Sequence, residues 1–347
     1  MAYANAAIVF EDGIYDEIKK AVEEKNLRRG AGIFFAVLSL VATSGIVYCF
    51  YLLATGSFSS WIDLLEIAFA LACLTIQLEF VGHAGGHRQV SAKPRVNDMV
   101  GLLFTPLVAI SQSMWRHEHN KHHGYPNDPA IDLAPRLPLF SFSREQFLAR
   151  HPTIQWITRF QALYFPFLAA VETWGLHITS LIYIYRHRDD KLARREGLAI
   201  LAYVLIYATV LIISPLNWWE AITFFVAHKL MLGFYMGMVF APNHKGMKII
   251  EKSAVVSFLM RQLLTTRNAG FGSIIATILF GGLNLQNEHH LFEHVPYHRL
   301  GEVRKIVKRY VKEYNLPYHE VSVPVSFGEI LVHLFRVGQT KRAQEVA

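Results

Sequence analysis

Cysteine is nearly missing from this chain: two residues, Cys49 and Cys73, in 347. Both stand inside apolar runs, which excludes a disulfide framework and a thiolate metal site. Charge is also scarce, at 18% of residues against 52% hydrophobic. Residues 31–54, AGIFFAVLSLVATSGIVYCFYLLA, carry none. As a helix that run would be about 36 Å long, enough to cross a hydrocarbon core of roughly 30 Å. A polar and charged segment precedes it and no small-residue cleavage site follows, so it does not read as a signal peptide. Repeats of solenoid or propeller period and low-complexity tracts are missing too. The net charge of +7 comes with no nucleic-acid motif. On a membrane protein it reports orientation and anionic lipid, not nucleic acid.

What is present reads as an all-α integral membrane protein. Residues 13–27 form a short amphipathic helix, with Ile14, Ile18 and Val22 four apart among charges. Spans fit 31–54, 62–82, 197–213 and 218–241, while the runs 98–114 and 162–185 are interrupted by Pro106 and Pro166. Basic residues arbitrate, since they concentrate on the inner side of a membrane. With four crossings the outer loops are TGSFSSW and SPLN, which hold no lysine or arginine. Of 34 basic residues only Lys229 falls in a span, leaving 34 − 1 = 33 inside. The two interrupted runs are therefore read as interfacial helices, and both termini as cytosolic. The division along the chain is an N-terminal segment 1–30, a main domain 31–320 and a C-terminal tail 321–347.

There are 17 histidines, and four of them fall in RHEHNKHH, residues 116–123. On a helix His119, His122 and His123 share one face. His83 and His87, in HAGGH, stand one helical turn apart just past the second span. His244 follows Asn243 at the inner end of the fourth, and His289 and His290 lie in QNEHH of the inner C-terminal segment. All four clusters fall on one side of the membrane. Their eight imidazoles exceed what one first-row ion takes, and two ions would use them. Nitrogen donors without thiolate suit iron, copper, nickel or zinc, and zinc rarely needs so many. Two irons so held beside a membrane make a redox centre able to activate oxygen next to a lipid chain.

HAGGH, HNKHH and QNEHH, in this order, resemble the three histidine boxes of the membrane fatty-acid desaturases, HxxxH, HxxHH and H/QxxHH. The likeness extends to YPND, FAPNHKG, GGLNLQNEHHLF and NLPYHE, from about residue 30 to 320. It implies four transmembrane helices under a cytosolic cap with a non-haem di-iron site. The implied metal residues are His83, His87, His119, His122, His123, His244, His289 and His290, with Gln286 and Asn243 as additional or supporting groups. It also implies dioxygen as co-substrate, a fatty-acyl chain carried on CoA, carrier protein or lipid ester, and a separate electron donor such as ferredoxin or cytochrome b5 with its reductase. No fused cytochrome b5 domain is expected, since only thirty residues precede the first span. Glu79, Glu118, Asp128, Asp132 and Glu288 are candidates to orient the imidazoles, by closeness in sequence alone.

Ala84, Asn287 and Glu293 depart from the usual residues beside the boxes, and His294 and His298 are additional. These changes leave hydroxylation or acetylenic-bond formation open as outcomes. A histidine-rich metal transporter or binding protein is the reading from another class. A transporter would carry its ligands within the spans near the midplane. His117 is read as a surface or supporting residue. His151, His177, His187, His319 and His333 have no companions at ligand spacing. His228 and Lys229 form an intramembrane ionisable pair, a functional candidate by default, about 24 Å of helix from His244. Residues 299–315 should form a helix with Leu300, Val303, Val307, Tyr310 and Tyr314 inward and a cationic outer face.

Overall fold

The computed structural model describes residues 2–28, 31–132, 137–270 and 272–340. Among these the fold is helical, and the one sheet is a two-residue parallel pairing of β1 (Asn268–Ala269) with β2 (Glu320–Val321). Four helices are long and apolar enough to cross a membrane: α2 (Ala31–Thr55), α3 (Trp61–Gly86), α10 (Lys191–Ile213) and α11 (Trp218–His244). They match the four expected spans. The additions fall mainly where polar residues continue a helix beyond its apolar stretch, which hydropathy does not register. Thus α3 runs on through His83 to Gly86, and α10 begins at Lys191 with Asp190 capping the Leu192 N–H. Ser60 and Asp63 close a reciprocal capping box that starts α3 immediately after the short loop from α2.

Two compact units emerge. One is drawn from residues 28–117 and 167–238. It contains α2, α3, α10 and most of α11, with α4 (Pro94–Val108) and α9 (Glu172–Arg186). Ile33, Val37, Leu40, Leu198 and Ile206 leave apolar side chains exposed along the spans, as lipid contact requires. The run expected as one interfacial helix over 98–114 is divided. Ala109 adopts a left-handed conformation (φ 56°) that ends α4, and α5 (Gln112–Gly124) starts three residues on. The run 162–185 is likewise two helices, α8 (Gln161–Ala169) and α9, bent by 70°.

The second unit takes the described residues before 28, those from 118 to 166, and those after 238. In α1 (Ala2–Glu23) the expected stripe of Ile14, Ile18 and Val22 is buried. That face packs on α12 (Phe258–Thr265) and α15 (Leu300–Glu313), and the Tyr15 hydroxyl donates to the Leu291 carbonyl at 2.8 Å. Leu300, Val303 and Val307 form the buried side of α15. Within the segment set apart at 321–347, Val321 pairs in β2 and α16 (Val323–Gly338) buries Ile330 and Leu334; residues 341–347 lie outside the described residues.

Candidate metal centre

The start of α5 is held by a buried anion. Glu196 of α10 is 1% exposed and accepts hydrogen bonds from Ser111 Oγ (2.5 Å), Ser113 N (3.0 Å) and Ser113 Oγ (2.8 Å). Ser111 Oγ in turn accepts the Met114 N–H at 3.0 Å. First-turn N–H groups lack partners within their own helix and face the positive end of its dipole, so a carboxylate there fixes where the helix begins. Seven residues further along α5 the imidazole face begins.

In the second unit His122, His244 and His290 converge, with one ligand atom from each within 4.8 Å of the others. The three rings arrive from α5, the end of α11 and α14 (Gln286–Leu291). Each has its Nδ1 against an oxygen acceptor. His122 Nδ1 lies 2.9 Å from Asp132 Oδ2, His244 Nδ1 3.0 Å from the Thr265 carbonyl, and His290 Nδ1 2.9 Å from Gln262 Oε1. The Gln262 amide is oriented unambiguously, because its Nε2 donates to the His123 carbonyl at 3.0 Å. An acceptor at Nδ1 keeps the proton there and turns the Nε2 lone pair to the other side of the ring. His122 Nε2 then lies 3.1 Å from His244 Nε2, so the two nitrogens not held by an oxygen face one another. Neutral imidazoles so directed fit a first-row metal.

A second group lies beside the first. His119 Nε2 is 3.0 Å from His123 Nε2, and the His289 ring stands 4.8 Å from that of His123 and 6.3 Å from that of His119. Glu293 Oε2 lies 3.4 Å from His123 Nδ1. The doublets His122–His123 and His289–His290 each divide between the groups, since neighbours on a helix point about 100° apart. Between the groups, His123 and His290 stack with centroids 4.1 Å apart.

In the other unit, the rings of His83 and His87 lie 4.7 Å apart. Trp115 packs edge-on to both, at 5.1 and 5.6 Å. The glycines of HAGGH have a steric reason. A Cβ on Gly86 would stand 2.0 Å from the Trp115 ring, and one on Gly85 would meet the Asn97 carbonyl at 3.1 Å.

The other sequence candidates sort by geometry. Gln286 Nε2 is 2.8 Å from His244 Nε2, so the leading residue of QNEHH faces the three-ring group. Asn243 Nδ2 instead donates to the Val239 carbonyl. Asp132 orients His122. Burial would raise its carboxyl, but the adjoining His122, with its hydrogen bond and that from the Asn127 N–H, holds it well below the usual carboxylate range. Asp128 serves the loop, accepting from the Ala130, Ile131 and Lys252 N–H groups. Glu288 accepts from Asn268 Nδ2 and the Tyr318 hydroxyl, both at 2.8 Å, and burial pushes its carboxyl up to about 7. Glu118 pairs with Lys121 at 3.2 Å, and Glu79 lies inside α3. His117 is exposed near Tyr183, His294 is exposed, and His298 sits half-buried in a 3-10 turn, Tyr297–Arg299. Sequence reasoning missed Thr265, Gln262 and Glu196, which carry no motif and which only the fold brings to the histidine helices; Asn127 stands in YPND, but no role was read for it.

The fatty acid desaturase family model matches residues 59–322. The chain belongs to the fatty acid desaturase family. It is 27% identical over 301 residues to an acyl-lipid (9-3)-desaturase of Physcomitrium patens, covering 82% of this chain and 56% of that protein. A Delta(6)-fatty-acid desaturase of Caenorhabditis elegans is 26% identical over 318 residues, 88% of this chain and 70% of the relative. A Delta(8)-fatty-acid desaturase of Euglena gracilis is 30% identical over 257 residues, 70% and 60% respectively. This family member thus spans little more than half the length of the moss relative.

Proposed function

We propose that the protein is an oxygen-dependent fatty-acyl desaturase, an oxidoreductase that introduces a double bond into an unactivated acyl chain. The observation that carries this reading is the set of convergent rings His122, His244 and His290, each held at Nδ1. The names of the relatives support a fatty-acyl or acyl-lipid substrate. The proposed metal residues are His83, His87, His119, His122, His123, His244, His289 and His290, with Gln286 beside them. Bound there, two irons would supply the oxygen-activating redox chemistry for removing two hydrogens from the acyl chain. The chain's own residues prepare that seat: Asp132, Thr265 and Gln262 keep the Nδ1 protons in place, and His244, His289 and His290 are buried. Electrons come from a separate carrier, a ferredoxin or cytochrome b5 type protein.

The test is expression in a host fed isotopically labelled acyl chains, with metal analysis of the purified protein. A new double bond and close to two irons per chain are expected. A hydroxyl or triple bond would reassign the outcome on the same scaffold. One zinc per chain and no iron-dependent turnover would favour a metal-binding protein instead. The histidines and both termini are proposed to face the cytosol, because the inner segments hold the basic residues. A tag at residue 125 reachable only from outside would overturn that orientation.

A further inference from the structure

The end of α11 is tied by one buried residue in an unusual way. The last four carbonyls of a helix have no partner within it. Here Arg267 supplies two donors to the final turn and one to the residue after it: Nε to the Pro242 carbonyl (2.5 Å), backbone N to Asn243 O (2.9 Å) and a terminal guanidinium nitrogen to Lys245 O (2.5 Å). Asn127 Nδ2 donates to the carbonyl between them, that of His244, at 3.1 Å. Arg267 is 1% exposed, and its remaining terminal nitrogen meets Glu329 Oε2 of α16 at 2.6 Å. His319 Nε2 contacts the same carboxylate at 2.9 Å. A guanidinium is costly to bury unless every donor is used, and this one sits at the negative end of a helix dipole.

We infer that Arg267, braced by Glu329 from the C-terminal helix, is a positioning residue for His244: it fixes the last turn of α11 so that His244 Nε2 stays opposite His122 Nε2. The consequence for metal rests on the function proposed above, whereas the clamp on the helix end does not. A lysine at 267 would keep the charge but cannot fork to two carbonyls and a carboxylate.

The full-length protein, purified with iron, would be compared with Arg267→Met, Arg267→Lys, Glu329→Gln and Leu334→Ala. The last is a control that removes packing from α16 without touching the guanidinium. Two quantities would be read below the melting transition: amide hydrogen exchange of residues 239–247, and the rate at which a chelator strips iron. Arg267→Met should speed both about tenfold or more. Arg267→Lys should fall between it and wild type, and Glu329→Gln should have the smaller effect of a retained but uncharged acceptor. Leu334→Ala should lower Tm while leaving exchange at 239–247 near wild type. Wild-type exchange in Arg267→Met or Arg267→Lys would overturn the clamp, as would Leu334→Ala accelerating iron loss as much as Arg267→Met. If the wild-type protein holds no iron, the functional reading fails, and the exchange comparison still decides the clamp.

Discussion

Helix α11 buries two histidines, and their surroundings differ in kind. His228 is 1% exposed, its Nδ1 bonded to the Tyr207 hydroxyl at 2.9 Å and its ring parallel to the tyrosine. Its neighbour Lys229 donates to the Tyr203 hydroxyl at 2.7 Å and lies 4.9 Å from the centre of that ring. Sixteen residues later His244 is also buried, but it meets two imidazoles, and its Nδ1 is occupied by a backbone carbonyl. Burial of an imidazole therefore says little about metal. The difference lies in company: His228 has its Nδ1 on a phenol, its Nε2 without a hydrogen-bond partner and no place in a convergent histidine group among the described residues, whereas His244 Nε2 faces His122 and Gln286 with His290 beside it. Within the spans, aromatic hydroxyls and faces make a basic pair tolerable.

Replacing each histidine is the strongest way to break this contrast. His244→Ala should bring bound iron and product to background, whereas His228→Phe should retain iron within about twofold of wild type. Iron per chain by elemental analysis, with acyl products by mass spectrometry, checks both. Equal loss from the two variants would erase the distinction.

The next effect sharpens the role of the Nδ1 partners. Asp132→Ala and Gln262→Ala should weaken iron binding about 10- to 100-fold without removing a ring. Chelator competition would measure it, with Asp128→Ala as the comparison. That variant should disturb the 125–132 loop and lower Tm while changing affinity less. Smaller again is Gly86→Ala, where the added methyl must displace Trp115 from His83 and His87. A cost of about 1–3 kcal/mol is expected, read as a fall in Tm. An unchanged Tm and unchanged iron would show that the Trp115 seat is slack. Least of all, His298→Ala and His294→Ala should keep iron and most of the activity, because neither joins the converging groups.

Much of this was legible in the sequence for simple reasons. The four spans announce themselves because a bilayer demands a long uncharged run, and α1 and α15 because their apolar stripes repeat at helical spacing. The histidine boxes were legible because i, i+3 and i+4 place rings on one face of α5 whatever else the chain does. The supporting residues were not. Asp128 is nearer to HNKHH in sequence than Asp132, yet a turn sends the nearer one to the loop backbone and the farther one to His122. Gln262, Thr265 and Arg267 are ordinary polar residues more than a hundred positions from His122. Nothing in their local pattern marks them, because their role is created by the packing of α12 and the segment after it. The interruptions in 98–114 and 162–185 were misplaced for another reason: the helices run through Pro106 and Pro166 and end instead at Ala109 and after Ala169.

The divided histidine doublets have a consequence for how the protein would be assembled. One turn of α5 presents His122 to one group and His123 to the other, and one turn of α14 does the same with His290 and His289. The gap between the groups is thus set first by backbone twist. An ion bound at either proposed group would stiffen both turns, and those turns also shape the neighbouring group. Loading should therefore be sigmoidal, with half-filled molecules scarce at every stage of a titration, and the wall of stacked His123 and His290 rings would carry the message from one seat to the next.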